Sequence, residues 1–235
     1  MAAATPRLVF DLDDTLYPER QFALSGFRAC SRHAADHWGA DVDQLNAEMT
    51  ELLDTGHLGG LFKLTMEKHC TSPSEDALAA FIDVYRRHSP EVSLFEDASD
   101  ALQYWAAHGP LGLITDGTHW VQQAKVNALG IAASFTEIVY TGALGGRQFH
   151  KPHPRSFELI EQALGGPNVE FVYVGDNPAK DFVTPNARGW RSVQIARTSG
   201  GIHDANAVAD GGAPKHVISS LSELPTLLQT ATDRL

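Results

Sequence analysis

Short apolar runs that end on polar or glycine-bearing steps recur along this chain. They are LVF at 8–10, LGLIT at 111–115, EIVY at 137–140, VEFVYVGD at 169–176 and RSVQIA at 191–196, with HVI at 216–218 a weaker sixth. Runs this short and this apolar suit strands buried on both faces. Helical patterns lie between most of them. After Thr118, the residues Val121, Ala124 and Ala128 fall on one face; after Pro154, Phe157, Ile160 and Leu164 do, and Gly165-Gly166-Pro167 stops that helix. Strands alternating with helices predict an α/β chain, an open parallel Rossmann-like sheet with helices on both faces.

The rhythm breaks once. About ninety residues between FDLDDTLY and LGLITDG hold no convincing strand, far more than one crossover helix needs. Their spacing is helical: Phe27, Cys30, Ala34 and Trp38 follow a 3-4-4 pattern, and Leu78, Ile82 and Tyr85 a 4-3 pattern. Residues 17–90 are therefore expected to form an inserted all-helical domain, and residues 1–16 and 91–235 the sheet-bearing core. The helix expected over 97–108 returns to that core. The polar, glycine-rich stretch 197–215 reads as a long surface loop.

Charge narrows the partners. Lys plus Arg number 18 against 29 Asp plus Glu, a net charge of −11, which disfavours nucleic acid as an extended partner. No apolar stretch is long enough to cross a bilayer, and the N-terminus shows no secretory pattern. The two cysteines, Cys30 and Cys70, form no CxxC pair and read as thiols in a reducing compartment. A cytoplasmic protein is expected. Surface cations Arg20 and Lys63 lie in the helical insertion, and His33 and His37, four apart, lack a third metal ligand. The sequence fixes no oligomeric state.

In open parallel sheets ligands bind beyond the carboxyl ends of the strands. The first run ends on Asp11, Asp13 and Thr15; the second on Thr115, Asp116 and Gly117; Lys151 follows the third; Gly175, Asp176 and Asp181 follow the fourth. One rim thus gathers acids, a hydroxyl and a lysine from four segments. Crowded carboxylates raise one another's pKa unless a cation neutralises them. Oxygen-only ligands suit Mg²⁺, which is commonly shared with a phosphate. A lysine and a hydroxyl suit the remaining phosphate oxygens, and an Asp can serve as nucleophile. Asp14 reads as a solvent-facing or turn-capping residue.

DLDDTL, the Thr of LITDG, the Lys of HKPHP and GDNPAKD occur in the order of the four motifs of the haloacid dehalogenase superfamily, and the chain resembles its capped, phosphatase-like branch. The resemblance implies a Mg²⁺-dependent phosphatase of a small phosphorylated metabolite, a sugar phosphate or nucleoside monophosphate, working through an aspartyl-phosphate. It makes the insertion a cap that selects the substrate. It implies Asp11 as nucleophile and Asp13 as general acid and base. Thr115, Asp116 and Lys151 would bind the phosphoryl group. The metal would be held by Asp11, Asp176 and the backbone carbonyl of Asp13, with Thr15 and Asp181 in support. The second motif commonly carries Asn where this chain has Asp116. Either that carboxylate turns away, leaving its N–H to the ligand and capping the next helix, or a cation compensates it; the first is expected. A phosphoryl mutase is the alternative on the same scaffold. A 2-haloacid dehalogenase, whose chemistry uses the Asp nucleophile without metal, and a catalytically silent binding module are further alternatives.

Overall fold

The computed structural model describes residues 5–57, 59–166, 169–197 and 208–232. The chain forms two units, residues 1–19 with 93–235, and residues 20–92. The first strand, β1 (Arg7–Phe10), leads into the helices of the second unit: α1 (Glu19–Trp38), α2 (Val42–Asp54), α3 (Leu61–His69) and α4 (Glu75–Arg87). Asp41 caps α2 by accepting from the Gln44 N–H at 2.8 Å, and Ser74 caps α4 through the Ala77 N–H at 3.1 Å. On α1, Phe27, Cys30 and Ala34 are buried as their spacing predicts, while Trp38 is half-buried. On α4 the buried centre is Phe81, with Leu78, Ile82 and Tyr85 half-buried around it. Phe81 packs 4.8 Å from Trp38 and 5.8 Å from Phe62, so an aromatic cluster supplies the unit's core. Arg20 forks onto Asp54 at 2.9 Å, and Lys63 lies 3.8 Å from Glu67. Rings His33 and His37 stack with centroids 4.0 Å apart.

The first unit holds β2 (Gly112–Thr115), β3 (Glu137–Tyr140), β4 (Phe171–Gly175), β5 (Arg191–Ile195) and β6 (His216–Ile218) beside β1. All pairings are parallel, in the order β3-β2-β1-β4-β5-β6. The weak sixth run is a real edge strand, registered through Val193 opposite His216. Successive strands step outward to one side of β1 and then to the other. The crevice beyond its carboxyl end, flanked by β2 and β4, is the switch point where such sheets bind ligands.

Helices α5 (Glu96–His108), α6 (His119–Leu129), α7 (Arg155–Leu164), α8 (Val183–Ala187) and α9 (Leu224–Thr232) accompany the sheet. Phe157, Ile160 and Leu164 of α7 are buried against Val9, Ile114, Val139, Phe171 and Tyr173, as their periodicity requires. Gly112 permits this approach, since a Cβ there would meet Ile160 Cδ1 at 2.9 Å. The expected face of α6 needs correction. Ala128 is exposed, and the buried positions are Val121, Gln122, Lys125 and Val126. Two polar side chains turn inward because acceptors wait for them there. In the expected loop 197–215, residues 198–207 lie outside the described residues, as does Pro167. The end of that stretch is tied to α8, where Asn186 Nδ2 donates to the carbonyls of Gly211 and Ala213 at 2.9 and 2.8 Å.

Candidate active site

The end of β1 is held in the sheet by the Asp11 N–H, which donates to Val174 O at 2.8 Å. Asp11 is only 2% exposed. Its Oδ1 accepts from Lys151 Nζ at 2.5 Å, whereas Oδ2 is buried with no hydrogen-bond partner among the described residues. Lys151 also donates to the Tyr173 hydroxyl at 3.0 Å and lies 2.8 Å from Asp181 Oδ1, an ion-pair distance without hydrogen-bond alignment. Burial alone would lower the Lys151 pKa. Asp11 and Asp181 outweigh it and hold the ammonium well above the usual lysine range. Burial likewise pushes Asp11 up to about 7, against the pull of Lys151.

Asp176 follows β4, its carbonyl accepting from Gln194 Nε2 at 3.0 Å. Burial, then Asp181 and Asp11, push its carboxyl up to about 9. Carboxylate oxygens of Asp11, Asp176 and Asp181 all lie within 4.8 Å of one another. The orphaned Asp11 Oδ2 and this all-oxygen donor set fit a hard divalent cation such as Mg²⁺. The Asp13 side chain is outside the group. Asp181 is fixed by the Asn177 N–H, which donates to Oδ2 at 2.9 Å. Gly175 makes room for it, because a Cβ there would sit 2.6 Å from that oxygen.

Asp13 has different neighbours. Tyr17 OH and Lys125 Nζ donate to its Oδ1 at 2.5 and 2.7 Å, and Gln122 Nε2 donates to Oδ2 at 2.8 Å. Three donors from two segments set the direction of the carboxylate. Asp14 is buried rather than solvent-facing. It adopts a left-handed backbone (φ 52°) and accepts from the Glu19 N–H at 2.9 Å, capping the start of α1. Thr15 Oγ1 is buried without a hydrogen-bond partner among the described residues; the loop is braced instead through the Thr15 carbonyl, which accepts from Arg197 at 2.8 Å. Arg197 is itself anchored on Asp97 at 2.7 Å.

Thr115 ends β2 fully buried, its hydroxyl oxygen accepting from Gln122 Nε2 at 2.5 Å, so its hydroxyl proton remains to be donated. Asp116 does not cap α6. Thr118 holds that position and makes no side-chain cap bond. Asp116 Oδ1 instead accepts from Thr141 Oγ1 at 2.8 Å and from the Lys151 N–H at 3.0 Å, while Oδ2 lies 3.6 Å from Lys180 Nζ. Burial would raise its pKa, but Lys151, Lys180 and these hydrogen bonds hold it below the usual carboxylate range. The carboxylate is thus both turned into the protein and faced by a cation. It clamps the Lys151 loop, where the Lys151–Pro152 bond is cis, to the end of β2.

Asp11, Lys151, Asp176 and Asp181 come together around one buried point. Thr115 and Asp13 are joined to each other through Gln122. Tyr17, Gln122, Lys125, Thr141, Tyr173 and Lys180 went unrecognised in the sequence. Gln122 and Lys125 had a signal, since they stand three apart beside Val121 and Val126 on a helix that follows a rim residue. Tyr173 had none, because a tyrosine inside an apolar run reads as core.

A parallel sheet whose central strand ends on a buried carboxylate, ion-paired to a lysine from another loop and set among further acids, with a helical insertion after that strand, defines an Asp-centred hydrolase of Rossmann-like design. The chain belongs to the haloacid dehalogenase-like hydrolases, whose family model matches residues 7–183. It is 29% identical to a ribulose-1,5-bisphosphate 5-phosphatase of Halopiger xanaduensis, over 94% of this chain and 98% of that one. It is 28% identical to an (S)-2-haloacid dehalogenase of Xanthobacter autotrophicus, over 78% of this chain and 62% of that one. Among solved structures it is similar to the HAD-hydrolase YfnB of Bacillus subtilis, with a TM-score of 0.64 and 15% identity over 95% and 99% of the two chains. Among the described residues no helix is long and apolar enough to cross a membrane.

Proposed function

We propose that the chain is a Mg²⁺-dependent phosphatase of a small phosphorylated metabolite, a sugar phosphate foremost, acting through an aspartyl-phosphate on Asp11. The observation that carries this reading is the asymmetry of Asp11: Lys151 engages one oxygen, and the other is buried with no partner among the described residues. Asp11, Asp176 and the Asp13 carbonyl would hold the metal, with Asp181 beside them. When bound, Mg²⁺ supplies positive charge to the carboxylates and to a phosphoryl oxygen.

The chain's own residues divide the rest. One oxygen of the Asp11 carboxylate attacks phosphorus as the bond to the leaving oxygen breaks. Asp13, aimed by Tyr17, Gln122 and Lys125, gives that oxygen a proton. Asp13 then takes a proton from the water that attacks the aspartyl-phosphate, which frees inorganic phosphate and restores Asp11. The Thr115 hydroxyl and Lys151 bind phosphoryl oxygens. Uncatalysed phosphate monoester hydrolysis is slow enough to call for accelerations approaching ~10²¹-fold, so no one residue suffices and alignment with charge neutralisation dominates. A cytoplasmic location belongs to this reading; both cysteines are free thiols.

The relative from Halopiger supports a phosphorylated sugar as substrate. The dehalogenase relative gives the rival chemistry its weight, but displacement of halide has no leaving oxygen for Asp13 to protonate. The test is phosphate release from an aryl phosphate and a sugar-phosphate panel, with Mg²⁺ and with EDTA, beside halide release from a 2-haloalkanoate. Mg²⁺-dependent phosphate release that Asp11→Asn abolishes is expected. Halide release without phosphate release, or full turnover by Asp11→Asn, overturns the reading.

A further inference from the structure

A carboxylate at position 116 is an unusual neighbour for an incoming phosphoryl dianion. Asp116 follows the fully buried Thr115, and its side chain is 10% exposed. Asp11, Asp176 and Asp181 already crowd three carboxyl groups onto the same rim, and the Lys151 ammonium lies on Asp11 and Asp181. Asp116 adds a fourth carboxylate beside that rim; Thr141 and the Lys151 N–H both go to its Oδ1, so its Oδ2 still calls for a counter-charge.

The fold brings one more cation to this place. Asn177 opens a tight turn beyond β4: its carbonyl accepts from the Lys180 and Asp181 N–H groups at 3.1 and 2.9 Å, and its Oδ1 accepts from the Ala179 N–H at 3.0 Å. That turn sends Asp181 inward and sets Lys180 at the rim, its side chain 29% exposed and its Nζ 3.6 Å from Asp116 Oδ2. The distance is too long for a strong hydrogen bond and short enough for charge compensation.

We propose that Lys180 is the counter-charge that makes Asp116 compatible with phosphate, a positioning residue that acts by neutralising this carboxylate. The inference rests on the phosphatase reading and deepens it. It explains how the chain tolerates Asp at this rim: position 116 keeps its acceptor for Thr141 and for the Lys151 N–H, while the added charge is cancelled from another strand's loop.

A double-mutant cycle on the full chain tests it, using kcat and KM for an aryl phosphate with Mg²⁺ and the Kd of orthovanadate as phosphoryl mimic. Lys180→Met is expected to lower kcat/KM about 30-fold or more, within the range for unpairing a partly buried charge, with a raised KM and a weakened vanadate Kd. Asp116→Asn keeps the acceptor oxygen and removes the charge. In the Lys180→Met background it is expected to recover at least about tenfold, a gain it does not give beside the native lysine. Lys180→Arg, which retains the charge, is expected to rescue most of the loss. Thermal unfolding of each variant separates misfolding from lost compensation. Equal effects of Asp116→Asn in both backgrounds, or Lys180→Arg as impaired as Lys180→Met, overturn the pairing while leaving the phosphatase reading intact. A native chain that neither hydrolyses phosphate esters nor binds vanadate overturns both.

Discussion

At the scale of single residues, the site separates two aspartates two positions apart by giving them different partners. Asp11 is buried against Lys151, with one oxygen orphaned; Asp13 accepts from three donors and is partly open to solvent. The first arrangement suits attack on phosphorus and the second suits proton transfer in a fixed direction. Asp13→Asn is therefore expected to lower turnover about 10²- to 10⁴-fold, the usual worth of a general acid, while phosphorylation of Asp11 persists as a small burst in rapid-quench assays. Lys125→Met tests the aiming. Lys125 is buried, and burial acting alone would favour its neutral form, yet Asp13 and Glu19 raise its pKa above the usual lysine value. Its removal is expected to depress kcat more than it raises KM, since it touches Asp13, the residue proposed to transfer the proton, and not the substrate.

Secondary-structure elements contribute through close approaches at the strand ends. The segment after β3 comes so near the segment after β2 that a Cβ on Gly142 would lie 2.1 Å from the Gly117 carbonyl oxygen. Both partners are backbone, so neither can swing aside. This approach sets Thr141 on Asp116 and, through Asp116, holds the Lys151 loop. Gly142→Ala is expected to cost about 1–3 kcal/mol of stability and to reduce kcat/KM beyond what the lost folded fraction explains, measured by denaturant melts beside initial rates. By contrast Leu164→Ala removes core volume at the far end of α7, beside Arg7 at the start of β1 and away from the rim. It is expected to cost about 3–5 kcal/mol, a fall in Tm of roughly 6–20 °C, with little change in KM for the molecules that remain folded.

Across the whole molecule, the crowded rim leads to the expectation that a bound divalent cation adds stability as well as activity. Asp11 and Asp176 are both pushed upward by burial and by other carboxylates. A divalent ion binding only the folded chain adds about 2.7 kcal/mol at a hundred times its Kd, which is a rise in Tm of roughly 5–10 °C for a domain this large. Mg²⁺ is expected to raise Tm by that order, EDTA to reverse it, and Asp176→Asn to erase the response. Calorimetric scans without any substrate read this, so the outcome is independent of turnover.

The parallel sheet and the helical insertion were legible because burial on both faces demands unbroken apolar runs, and because helices on either side demand a 3.6-residue period. The rim residues Asp11, Thr115, Lys151 and Asp176 were legible for a related reason: the carboxyl ends of parallel strands are where a chain can hold polar groups beside a buried sheet. What the linear order could not reveal was pairing. Gln122 and Lys125 look like ordinary helix-surface residues until α6 turns them toward Asp13, and Lys180 is one lysine among several until the Asn177 turn sets it against Asp116. Charges interact through space as the inverse of distance, and residues 64 positions apart in the chain, as Asp116 and Lys180 are, come within 3.6 Å only when the sheet has closed the gap. Local periodicity therefore determined the elements and their chemistry, and tertiary packing alone decided which acid meets which base.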